Sequence, residues 1–95
     1  MMLVTYDIDI SSDDSSTRLR RVAKICEDYG LRVQNSVFEM LIDQSQLIKL
    51  KSRLSNEIDH ERDSIRFYRL GNNYKNRIEI LGLTSRITLD GPLIL

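Results

Sequence analysis

Two opposed sets of charged side chains dominate the first third of this sequence. Residues 1–14 carry Asp7, Asp9, Asp13 and Asp14 and no base, whereas residues 15–37 carry Arg18, Arg20, Arg21, Lys24 and Arg32 against Glu27 and Asp28. A second basic cluster, Arg62, Arg66, Arg69, Lys75 and Arg77, lies between residues 61 and 77 against Glu61 and Asp63. The planar fork of arginine suits bidentate contact with phosphate. The chain as a whole is neutral, with 14 Lys+Arg against 14 Asp+Glu, so segregation and not bulk charge is what favours a polyanionic partner. Charge alone favours the plainer reading, a solvated face with ordinary salt bridges. Other chemistries are excluded. A single cysteine, Cys26, allows no internal disulfide, and without a histidine at ligand spacing it allows no structural zinc site. Cys26 reads as a small apolar packing residue, since no histidine is near it in sequence to activate it.

The scaffold for these groups is one small domain. Ninety-five residues with 41% hydrophobic and 29% charged side chains suit a folded soluble chain, and so small a core gains from oligomerisation. No run approaches the ~18 apolar residues of a membrane span, and the start lacks a signal-peptide pattern, so the expected compartment is the cytoplasm, with no membrane partner. Residues 3–10 alternate as a strand, with Val4, Tyr6 and Ile8 on one face and Leu3, Thr5, Asp7 and Asp9 on the other. Leu19, Val22, Ala23, Cys26 and Tyr29 then recur with helical spacing, Arg20, Arg21 and Lys24 project away from that stripe, and Gly30 is expected to close the helix as its C′ residue. Residues 32–42 form a hairpin or bent strand pair around Gln34-Asn35-Ser36. Asp43 and Gln46 have capping-box spacing before a second helix that holds Leu47, Leu50, Leu54 and Ile58 on one face and runs to about Glu57. Asp63 to Leu70 alternates as a fourth strand and ends at the turn-forming Gly71-Asn72-Asn73. Arg77 to Leu81 is a short fifth candidate.

This order predicts an α+β class, a ferredoxin-like β-α-β-β-α-β sandwich with an extra C-terminal strand. The domain is expected over residues 1–82, with 83–95 as an extension for dimer or partner contact. One sheet face lacks a cover, and a second copy could supply it, the surplus strand extending the partner's sheet in a twofold dimer.

Four stretches in this order carry a family resemblance: Thr5-Tyr6-Asp7-Ile8; Arg18-Leu19-Arg20-Arg21-Val22-Ala23-Lys24; Tyr29-Gly30-Leu31-Arg32-Val33-Gln34-Asn35-Ser36-Val37-Phe38-Glu39; and Asp63-Ser64-Ile65-Arg66-Phe67-Tyr68. Over about residues 2–80 the chain resembles the CRISPR-associated protein 2 family, the small partner of the spacer-acquisition integrase. The resemblance implies a homodimeric component of CRISPR adaptation, described in some members as a magnesium-dependent endonuclease on RNA or DNA. It also implies a bridge that holds duplex DNA with the integrase subunit, and a non-catalytic clamp between integrase dimers is the alternative. It places the metal-binding and catalytic aspartate at Asp7. Tyr6, Phe38, Arg18, Arg20 and Arg32 stand where members carry residues implicated around the site.

One Asp7 from each subunit, meeting at a twofold axis, could hold one Mg²⁺ per dimer, since this ion needs few protein oxygens and keeps several waters. No general base is placed beside Asp7, and His60 falls at the far end of the second helix. A solvated strand-end acid is the plainer reading of Asp7. Tyr6 and Phe38 read as packing residues near the site, because each sits in an alternating strand pattern. Arg32 suits an interface ion pair and a phosphate contact equally. Arg18, Arg20, Arg21, Lys24, Arg32 and Arg66 are the expected nucleic-acid contacts. Asp9, Asp13 and Asp14 read as capping or solvated loop acids, with Asp9 a second-ligand candidate.

Overall fold

The computed structural model describes residues 1–11, 13–71, 79 and 81. Six elements follow in order: β1 (Met2–Asp7), α1 (Ser15–Glu27), β2 (Leu31–Gln34), β3 (Val37–Met40), α2 (Gln44–Glu57) and β4 (Ser64–Arg69). The strands form one four-stranded sheet in the order β2-β3-β1-β4, every pair antiparallel, as the ferredoxin-like reading requires. The extension at 83–95 lies outside the described residues. So does the candidate fifth strand, apart from Glu79 and Leu81, which are exposed and in no strand.

The alternation in β1 decides which face is buried. Met2, Val4 and Tyr6 point into the core with Phe38 and Met40, which register places across from Val4 and Met2. Val22 and Cys26 from α1 and Leu47, Leu50 and Leu54 from α2 close over them. Leu3, Thr5, Glu39, Arg66 and Tyr68 therefore occupy the opposite face, which no described helix covers. The Asp43 carboxylate accepts the Gln46 N–H at 2.7 Å while the Gln46 side-chain oxygen accepts the Asp43 N–H at 3.0 Å, so the capping box starts α2 as its spacing predicts.

Two local expectations are corrected. The periodicity predicts Leu19 inside, but α1 turns Ser15, Arg18, Val22 and Ile25 inward and leaves Leu19 37% exposed. Gly30 does not take the left-handed conformation predicted for a helix-closing residue; among the described residues only Gly71 has a positive φ, at 72°. What Gly30 provides is close approach, since a Cβ there would collide with the Glu39 carbonyl oxygen and the Met40 Cγ. Gly30→Ala is expected to cost about 1–3 kcal/mol by overpacking, read as a lower urea midpoint at constant slope.

Candidate nucleic-acid and metal site

Asp7 ends β1 opposite Ser64, at the start of β4, and its side chain is exposed. On the same face Arg66 lies two residues further along β4; its guanidinium reaches the Tyr68 hydroxyl at 3.4 Å, and Tyr68 first, then Asp7, raises its pKa. Asp7 and Tyr6 line two hollows. One is a groove of about 890 Å³ between α1 and the β2–β3 turn, walled by Arg20, Lys24 and Arg32. The other, of about 230 Å³, is closed by Thr5, Ser64, Arg66 and Tyr68.

The groove keeps its shape because its far wall is stitched to β1. The Tyr6 N–H donates to the Ser36 carbonyl and the Tyr6 hydroxyl to the Asn35 carbonyl, both at 3.1 Å, which ties the two-residue turn to the strand that carries Asp7. Tyr6 is 6% exposed and Phe38 fully buried, with ring centroids 6.1 Å apart. Both are packing residues, as their strand pattern predicts. Burial raises the Tyr6 pKa despite nearby Arg32, so the phenol stays neutral and able to donate. Burial likewise pushes the Cys26 thiol up to about 12, which leaves it inert.

Among the cations, Arg20, Arg21, Lys24 and Arg32 are exposed. Arg21 meets Glu57 and Arg32 meets Glu27 only at 3.8 Å, between exposed or half-exposed groups. Such pairs contribute at most about 1 kcal/mol and exchange readily for a phosphate. The Arg32 guanidinium also lies 5.3 Å from the Phe38 ring centroid, which orients it beside the groove.

Arg18 is the exception, for its side chain is buried. It is 8% exposed, and its Nε donates to Asp63 at 2.7 Å, its Nη1 to Asp14 at 2.7 Å and its Nη2 to the Asp9 carbonyl at 3.2 Å. Asp63, which sequence reading left without a role, has a fully buried side chain. It accepts the backbone N–H groups of Asp9 at 3.0 Å and Asp59 at 2.8 Å besides the guanidinium. Burial works to raise the Asp63 pKa, but the bonds from Arg18, Asp59 and Asp9 outweigh it and hold the carboxyl below its ordinary range. Asp9 caps its own loop, accepting the Ser11 N–H at 2.9 Å, and hydrogen bonding with the Ser11 side chain first, then with its backbone, lowers the Asp9 pKa.

Sequence comparison decides the family. The profile described as CRISPR associated protein Cas2 matches residues 1–78. The CRISPR-associated endonuclease Cas2 of Halalkalibacterium halodurans is 53% identical over 94 residues, covering 99% of this chain and 98% of that one. The chain belongs to the Cas2 family. A CRISPR-associated endoribonuclease Cas2 from Nitratidesulfovibrio vulgaris is 47% identical, covering 100% of this chain and 93% of its own length. The crystal structure of Streptococcus pyogenes Cas2 superposes with a TM-score of 0.78 at 52% identity, covering 86% of this chain and all of that one. No helix among the described residues is long and apolar enough to cross a membrane.

Within this Cas2 chain no described group of three His, Cys, Asp or Glu side chains could cage a metal ion. Mg²⁺ does not need such a cage; one or two carboxylates with retained waters suffice. An exposed Asp7, in a hollow shared with Thr5, Ser64 and Arg66, offers one carboxylate to a hydrated ion of this kind.

The other feature that sequence reading missed is Glu39. It is 4% exposed at the centre of the helix-free face, and its Oε1 has no partner among the described residues. Its visible trace is a single acid in register with Val37 on a strand whose other members are apolar. Burial raises its pKa. A raised carboxyl contributes stability that is full at acid pH and is lost as pH rises through its folded pKa. Glu39→Gln is therefore expected to stabilise the fold by about 1–3 kcal/mol at neutral pH, with the advantage vanishing toward acid pH in thermal unfolding scans.

Proposed function

We propose that this chain acts as a homodimer in CRISPR adaptation, binding nucleic acid through the basic side of α1 and carrying a magnesium-dependent endonuclease activity on RNA or DNA at Asp7. The single observation that carries this reading is that Asp7, Arg20, Lys24 and Arg32 all line one groove. Phosphate contacts come from Arg20, Arg21, Lys24 and Arg32, with Arg66 beside Asp7. The two Asp7 carboxylates of the dimer would hold one Mg²⁺. When bound, the ion supplies a more acidic water and offsets charge on the scissile phosphate. The helix-free face pairs with that of the second copy, and residues 83–95 extend beyond the 1–82 domain to contact the dimer partner or the integrase subunit.

A second reading, a non-catalytic clamp that holds duplex DNA between integrase dimers, is favoured by one specific feature. Among the described residues the catalytic set is thin: His60 contacts Ser55 at the end of α2 and not the groove. Both readings require the arginines. Arg20→Gln together with Arg21→Gln should weaken duplex binding for all sequences alike and flatten the slope of log affinity against log salt by about two units, close to one for each lost phosphate contact. An unchanged slope would show that α1 is not the binding side. Wild-type protein that binds duplex DNA and assembles with the integrase but cleaves neither RNA nor DNA in Mg²⁺ would leave the clamp. Light scattering that gives a monomer at micromolar concentration would remove both readings.

A further inference from the structure

The Arg18 and Asp63 side chains join three parts of the chain. Asp63 takes the Asp9 N–H from the loop after β1, the Arg18 guanidinium from the first turns of α1, and the Asp59 N–H from the segment after α2. Arg18 returns a bond to the Asp9 carbonyl, so both backbone groups of Asp9 are held by one ion pair. Asp9 stands two residues after Asp7, and Asp63 immediately precedes Ser64, the residue that pairs with Asp7. The end of β1 and the start of β4 are thus fixed on either side of Asp7 by one side-chain network that is almost closed to solvent.

We infer that the Arg18–Asp63 pair is a clasp that positions Asp7, so that Arg18 is a positioning residue and not a phosphate ligand. The part of this inference that concerns function rests on Asp7 being the functional acid. A buried guanidinium with its donors on Asp63, Asp14 and the Asp9 carbonyl would have to break that network to reach a phosphate, whereas Arg20 and Arg21 lie exposed on the same helix. Outer residues that hold a metal ligand in place are commonly worth 10–100-fold in affinity or activity.

The test uses the full-length protein as wild type, Arg18→Gln, and Arg18→Gln combined with Asp63→Asn. The double variant removes both buried charges, and the carboxamide oxygen still accepts one of the Asp9 and Asp59 N–H groups while the other loses its acceptor; retention of the fold is checked by thermal unfolding. Three quantities are followed: the salt slope of duplex-DNA binding, amide hydrogen exchange at Asp9, and Mn²⁺ affinity by electron paramagnetic resonance with Asp7→Asn as reference. Both variants are expected to keep the wild-type salt slope. In the double variant, Asp9 exchange should quicken at least about tenfold and Mn²⁺ binding weaken about tenfold. A slope flattened by about one unit in either variant would make Arg18 a phosphate contact and overturn the inference. Unchanged Asp9 exchange with unchanged Mn²⁺ affinity in the double variant would overturn it as well. If wild type binds Mn²⁺ no better than Asp7→Asn, the metal reading of Asp7 fails by itself, and the salt slope and Asp9 exchange still decide whether Arg18 is a clasp.

Discussion

Asp7→Asn is expected to lower magnesium-dependent cleavage of RNA or DNA by at least about 1,000-fold, with fold, dimer and duplex affinity unchanged. Asparagine keeps the size and shape of the side chain but removes the anionic oxygen that a hard cation needs. A thousandfold corresponds to about 4 kcal/mol of lost transition-state stabilisation, within what a bound cation supplies at a phosphate centre. The fold is insulated from the change because the Asp7 side chain is exposed at a strand end, while the buried bonds nearby belong to Asp9, Arg18 and Asp63. Duplex affinity is insulated because the proposed contacts are several arginines and not one acid. The measurement is paired: cleavage with and without Mg²⁺, and binding with integrase-complex assembly, for wild type and variant. Cleavage that survives the substitution would place the activity elsewhere. A wild type with full assembly and no cleavage would make Asp7 dispensable, as the clamp reading requires.

Asp63→Ala is expected to cost about 3–5 kcal/mol, the range for removing one partner of a buried ion pair and stranding the other charge. Small domains hold only about 5–15 kcal/mol in total, so this one truncation would leave much of the population unfolded at moderate urea. The pH dependence follows from the lowered Asp63 pKa. A depressed carboxyl contributes stability that is fully present above its unfolded pKa and is lost as pH falls through the folded value. Wild type should therefore lose stability below the ordinary carboxylate range, and Asp63→Asn should lose less over the same window. Urea midpoints measured from neutral pH into acid check both statements; an Asp63→Ala midpoint within experimental error of wild type would mean that the clasp adds nothing to the fold.

The element order was legible in the sequence because each element announces itself locally. β1 alternates, α2 opens with a capping box, and β4 is followed by a glycine that does take positive φ. Arg20, Arg21 and Lys24 were legible as an exposed edge for the same reason. Arg18 was not, because its partner lies 45 residues away and a buried arginine looks like a solvent-facing one until Asp63 is beside it. The stripe of α1 was read through Leu19 since leucine outranks arginine in any hydrophobic pattern, yet the ion pair took the inward position and rotated the leucine outward. Gly30 shows a similar limit. A glycine after a helix suggests a backbone angle, but here the requirement is the room that β3 leaves, which only the tertiary arrangement reveals. Glu39 belongs to this group, for its burial depends on strands on both sides of it.

The pairing of Asp7 with Ser64 also sets an order of events during synthesis. β1 is translated first but is bordered on one side by β4, the last described strand. A nascent chain stopped before residue 63 therefore holds Asp7 on a bare edge, with Arg18 still lacking Asp63. Contacts of such long sequence separation form late and slowly compared with the helices. The clasp and the β4 side of the Asp7 strand end are completed together by the last described strand, so the geometry proposed for cleavage belongs to chains in which that strand has paired.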